Sequence, residues 1–131
     1  MNRGASGQPT ELELQILKVL WGEAPLPVRE IRRRLAEQGR DLAHTSVITT
    51  LNTMFDKRFL DRKKKANAFY FSPKVTRQEV SQRMLGDVVE RLFDGSAASV
   101  MLSLFDCSEI DATEVRELRR LFNRKLKEQE E

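Results

Sequence analysis

The sequence predicts a mostly α-helical protein with one small β-hairpin: three helices and the hairpin in front, three helices behind. Three observations carry this. Apolar residues recur at helical spacing along most of the chain. Between Leu60 and Ser72 that period fails, and a basic run meets an aromatic run, Ala68-Phe69-Tyr70-Phe71-Ser72, whose composition favours a strand. The third is the stretch Ala43 to Phe55, which has two dissimilar faces. Val47, Leu51 and Met54 fall at i, i+4 and i+7 as one apolar stripe, which Phe55 widens. Opposite them stand Thr45, Ser46, Thr49, Asn52 and Thr53, all short, polar and uncharged. A helix that needs only solubility shows Glu, Lys and Arg to water, and β-branched Thr is a mediocre helix former. Short hydroxyl and amide groups let a helix approach another surface closely and hydrogen-bond to it, as in a DNA major groove. Packing inside the protein is the plainer use of such a face.

In chain order, residues 1–9 read as a disordered lead-in without an apolar signal region. Thr10 and Glu13 form a T-x-x-E capping box for a first helix, in which Leu14, Leu17 and Trp21 recur, and Gly22 suits its C-terminal cap. Trp21 reads as a core anchor. Pro25 and Pro27 break the chain. A second helix spans about Val28 to Gln38, with Val28, Ile31 and Leu35 inward and Arg29, Arg32, Arg33 and Arg34 outward, as a solvated or phosphate-binding face. Gly39 ends it, and a short connection leads into the Thr-rich third helix, the order of a helix-turn-helix. Leu60–Lys65 and Ala68–Ser72 then pair about a tip at Ala66-Asn67, with Phe69 and Phe71 on one face. A basic hairpin directly after a recognition helix is the wing of a winged helix. Lys also guards strand edges, but beside the Thr-rich helix phosphate contact is the better reading.

Behind Pro73, Thr76 and Glu79 cap a long helix to about Asp94 that carries Leu85, Val88, Val89, Leu92 and Phe93. Gly95 ends it, and Ser96 to Phe105 form a short apolar helix with Val100, Met101, Leu102 and Leu104. Asp111 and Glu114 cap a last helix that buries Val115, Leu118, Leu121 and Phe122 and frays over its charged end. Three helices of this size have no closed core of their own; pairing with a second copy is the simplest remedy, and folding back on the front domain is the other. The fold class is therefore mostly α with a small β-hairpin wing: an N-terminal winged helix-turn-helix over 10–74 and a C-terminal three-helix dimerisation domain over 75–131, which holds dimer contacts through Val88, Leu92, Phe93, Val100, Met101, Leu104, Leu118, Leu121 and Phe122.

Charge and composition narrow the function. The net charge of +3 divides into +6 over residues 1–75 and −3 over 76–131, a basic front that fits a polyanion and an acidic rear. One His and one Cys leave no catalytic dyad, disulfide or cysteine metal cluster, and neither a G-x-S-x-G nor a P-loop occurs. The reading is of a non-enzyme without metal or cofactor. Cys107 stands between acidic neighbours, as a loop or core thiol. No run of about 18 apolar residues spans a membrane, and the cytoplasm is the expected location.

The segments TELELQILKVLW, VREIRRRL, LAHTSVITTLNTM, FYFSP and LFDGSAASVMLSLF, in this order and spacing, resemble the BlaI/MecI repressors of penicillinase and methicillin resistance, over about Pro9 to Phe122. The resemblance implies a homodimer that represses transcription from a palindromic operator. Thr45, Ser46, Thr49 and Asn52 would read bases, and His44, Arg62, Lys63, Lys64, Lys65 and Asn67 would hold the DNA backbone. The family has Gly after the third helix where this chain has Arg58, so that helix is expected to end differently. The family's wing tip is Gly-Arg; here it is Ala66-Asn67, and the three lysines take over as sequence-blind charges. The copper-responsive branch has a cysteine-rich tail, and this chain ends in KEQEE, so copper sensing is not expected. The resemblance further implies a regulatory protease as a partner; the bond it cuts in the family, Asn-Phe, aligns with Ser103-Leu104, where both residues differ.

Two function classes fit the residues: a DNA-binding repressor, and a winged helix whose Thr-rich helix docks to a protein. The basic wing favours DNA, since protein interfaces are depleted in Lys.

Overall fold

The computed structural model describes residues 7–130; residues 1–6 of the lead-in lie outside the described residues. The order is α1 (Glu11–Gly22), β1 (Leu26–Pro27), α2 (Val28–Glu37), α3 (His44–Asp56), β2 (Leu60–Lys65), β3 (Ala68–Pro73), α4 (Arg77–Leu92), α5 (Ala97–Cys107) and α6 (Ala112–Glu130). The strands form one antiparallel sheet in the order β1-β3-β2. This is a winged helix followed by a helical segment. The chain divides into two compact units, the first closing at Gly86 within α4 and the second beginning at Asp87.

The first unit is built on one core. Ile16, Leu17, Ile31, Leu35, Val47, Leu51, Met54 and Phe59 are fully buried, and Leu60, Phe71, Val75 and Val80 join them. The stripe Val47, Leu51 and Met54 is thus the inward face of α3, as its spacing predicts. Thr10 caps α1 with the expected reciprocal box: Glu13 N–H donates to Thr10 Oγ1 at 3.2 Å and Thr10 N–H to Glu13 Oε1 at 2.9 Å. Thr76 and Glu79 repeat it at α4, at 3.0 and 2.8 Å. Trp21 anchors as expected, its indole N–H donating to the Val75 carbonyl at 2.8 Å.

Several details differ from the sequence reading. Gly22 is the last helical residue, and Glu23 caps α1 in extended conformation. The Pro25–Pro27 break contains a strand: Leu26 and Pro27 pair with Phe71 and Tyr70. Pro is tolerated there because β1 is an edge. Arg58 takes the left-handed conformation usually given to Gly, with φ 69°. Its N–H donates to the Phe55 carbonyl and Phe59 N–H to the Met54 carbonyl, at 3.0 and 2.9 Å. Those two bonds make a Schellman cap, closed by the buried pair Met54 and Phe59. The helix thus ends in a left-handed cap without a Gly, and the buried Phe59 holds the chain to it. Arg58→Gly is expected to raise stability by up to about 1 kcal/mol, the usual penalty of a side chain in this region, read from a urea melt; a lower midpoint would show that the Arg58 side chain outweighs its backbone strain.

The hairpin tip is as expected, Ala66 and Asn67 both having positive φ, 50° and 65°, the pattern of a two-residue type I′ turn. In the second unit, Ser96 caps α5 through Ser99 N–H at 3.1 Å, and Asp111 caps α6 through Glu114 N–H at 2.9 Å. Cys107 is the exposed last residue of α5, neither loop nor core. α6 continues helically to Glu130, through the charged end expected to fray. The burial expected of α6 is absent within one chain: Val115, Leu121 and Phe122 are 42%, 51% and 49% exposed.

Candidate nucleic-acid interface

α3 presents Thr45, Ser46, Thr49, Asn52 and Thr53 as one exposed face. It is exposed because the opposite side is fully committed to the core, so packing inside the protein is not the use of these residues. Among the described residues, the side chains of Thr45, Ser46 and Thr49 make no hydrogen bond within the protein, whereas the Thr53 hydroxyl donates to the Thr49 carbonyl of its own helix at 3.0 Å. Ala43 gives α3 no side-chain cap, so its first-turn N–H groups keep their affinity for an anion. His44, exposed at the first position, stands at that end.

The wing lies beside α3, and strand alternation divides its charges between two faces. Arg62 pairs with Phe71 and Lys64 with Phe69, on the side that meets α3; Lys63 pairs with Tyr70 and Lys65 with Ala68, on the other. Lys65 Nζ sits 6.0 Å from the Tyr70 ring centre. The three lysines are exposed but do not form one patch, and Asn67 is exposed at the tip. Arg62 differs from them. Its guanidinium carbon lies 4.0 Å from the Phe55 ring centre and 4.7 Å from that of Phe69, and its Nη1 donates to Asn52 Oδ1 at 3.2 Å. The wing and α3 thereby frame an open cleft of about 520 Å³, lined by Arg29, His44, Ile48, Asn52, Arg62 and Phe69 among others.

The arginines of α2 separate by partner. Arg33 is paired with Glu30 and Glu37, and Arg34 with Glu23 and Glu30. The hydrogen bond from Arg33 is the main reason the Glu30 carboxyl is held below the usual range, and Glu30 in turn raises Arg33. Arg32 donates to the Leu42 carbonyl at 2.7 Å, fixing the turn before α3. Arg29 is exposed, has no hydrogen bond or ion pair among the described residues, and shares the cleft wall with His44. The sequence reading left Arg29 among four similar residues; the carboxylates four and three positions from Arg33 and Arg34 were the available signal that those two are engaged.

A winged helix with an uncharged, exposed helix face beside a basic hairpin is built like a DNA-reading module. The chain belongs to the penicillinase repressor family, whose model matches residues 9–124; this is a family of transcriptional repressors, not of enzymes. It is 19% identical to the penicillinase repressor of Staphylococcus aureus, over 85% of this chain and 87% of that protein. It is 21% identical to the methicillin resistance regulatory protein MecI of Mammaliicoccus sciuri, over 86% and 91%, and 21% identical to the penicillinase repressor of Bacillus licheniformis, over 85% and 86%. No helix of the described residues is long and apolar enough to cross a membrane.

Proposed function

We propose that the protein is a dimeric, sequence-specific DNA-binding repressor that places α3 in the major groove of each half of a palindromic operator and holds phosphates with its wing. The observation that carries this is the α3 face, exposed, uncharged and flanked by cationic side chains. Thr45, Ser46, Thr49 and Asn52 read base edges; His44, Arg29, Lys63, Lys64, Lys65 and Asn67 position the backbone. The module runs from residue 10 into α4, where Val80 belongs to its core, and the residues after Gly86 supply dimer contacts. Dimerisation is supported by apolar side chains with no cover in one chain: Val88, Leu92, Leu104, Leu121 and Phe122 are between 42% and 71% exposed. Phe93, Met101 and Leu118 complete the proposed contacts, whereas Val100, expected among them, is 8% exposed and already covered within one chain. A patch of this kind on a small chain marks an association surface. A protease cut at Ser103-Leu104, within α5, would separate α6 from α4 and so lift repression by dimer loss.

A gel shift on the DNA upstream of the protein's own gene tests the reading. Thr49→Ala is expected to weaken specific binding by about 1–3 kcal/mol while sparing random-sequence DNA. Changing Lys63, Lys64 and Lys65 together to Ala is expected to weaken both and flatten the salt dependence by up to about one unit of slope per lost phosphate contact. Equal loss on both DNAs in Thr49→Ala would remove α3 as the reader.

A further inference from the structure

Arg62 stands in the basic run, yet its surroundings are not those of a phosphate-binding side chain. Its guanidinium lies between two rings from different elements, Phe55 of α3 and Phe69 of β3, at 4.0 and 4.7 Å. Cation–ring contacts of this kind hold a planar guanidinium flat, and two of them fix its position. Its remaining directed contact is the hydrogen bond to Asn52 at 3.2 Å. A guanidinium can only donate, so the Asn52 atom that faces it is the carbonyl oxygen, and the amide NH₂ is turned away from Arg62. Phe69, though 41% exposed, is therefore more than a surface aromatic: it is one wall of the clamp.

We propose that Arg62 is a positioning residue that sets the specificity of Asn52. This rests on the DNA reading above. A free Asn reads adenine with both ends of its amide, accepting from N6–H and donating to N7. With one Oδ1 lone pair and the space beside it taken by Arg62, Asn52 presents chiefly its two N–H donors. These suit edges that offer acceptors without a neighbouring donor, guanine O6 and N7 or thymine O4, better than adenine, where N7 stands beside the N6–H donor. The clamp also ties the wing to α3, so loss of the Arg62 geometry frees Asn52 and loosens the wing in one step.

The test is selection of bound sequences from a pool of random-sequence duplexes, using the full chain. The native protein is expected to enrich guanine or thymine at one position of each half-site, a preference that Asn52→Ala abolishes. Arg62→Lys keeps the charge but lacks the flat fork. It is expected to shift that position toward adenine and to lower the ratio of specific to random-sequence affinity on the order of tenfold. Phe69→Leu, which removes one wall without touching Asn52 or Arg62, is expected to shift the same position and guards against misfolding of the first variant. If Arg62→Lys and Phe69→Leu keep the native base preference at every position, or if specific and random affinity fall together, Arg62 is a phosphate contact and the positioning role is wrong. If the native protein enriches no sequence at all, the DNA reading itself falls, and this inference with it.

Discussion

Ended after Gly86, the chain is expected to fold as a monomer and to hold its operator at least about a hundredfold more weakly than the full chain. In the proposed dimer, the first half-site contact makes the second intramolecular, and its effective concentration disappears with the tether. The cut is placed at Gly86 because the front core reaches past β3 into α4: Val75, just before α4, and Val80, within it, are 9% and 4% exposed, and Val75 accepts the Trp21 hydrogen bond. A cut at Ser72 would remove these and confuse unfolding with loss of pairing. Sedimentation gives the association state and a gel shift the affinity. A shortened chain that still sediments as a dimer would place the interface in the winged helix.

Among the ion pairs of the described residues, the largest effect on stability is expected at Lys57. Its Nζ lies 3.0 Å from both oxygens of Glu13, whose side chain is only 4% exposed. Glu13 also accepts Thr10 N–H, so one carboxylate caps α1 and ties it to the C-terminal end of α3. Lys57→Ala leaves that buried carboxylate with a single backbone donor. The expected cost is about 3 kcal/mol, which lowers the thermal midpoint by roughly 10–20 °C in a domain of this size. Replacing both partners, Glu13→Leu with Lys57→Met, is expected to recover much of the loss, since no buried charge remains. A midpoint for Lys57→Ala within a few degrees of the native one would mean that water, rather than Lys57, satisfies Glu13.

These two sites also show which parts of the molecule could be read in advance. Thr10 with Glu13 and Thr76 with Glu79 are local signals, three residues apart, and they marked two helix starts correctly. The two faces of α3 and the hairpin about Ala66-Asn67 follow from periods of 3.6 and 2, which adjoining residues express. What could not be read joins distant positions. Glu13 and Lys57 are 44 residues apart, and nothing near Glu13 distinguishes an ion pair from a cap. β1 is two residues long and contains Pro27; only β3 makes it a strand. Arg62 looked like one more charge in a run of four because the rings that hold it come from positions 55 and 69. The end of α6 was expected to fray from its charge, yet alternating Arg, Lys and Glu are good helix formers in their own right.

The cap at Arg58 has a consequence for the partner rather than for the protein. Only three residues join α3 to β2, the second of them left-handed and the third, Phe59, fully buried. Lys74 N–H closes the corner on the Phe59 carbonyl at 2.8 Å. In the proposed complex a corner so fixed would leave the wing little freedom to follow a duplex, so the accommodation would fall to the DNA. Groove width and the ease of bending at steps that no side chain touches would then enter the choice of site as elastic energy. Sequences would be sorted by how readily they take the shape demanded of them, as well as by the bases they display.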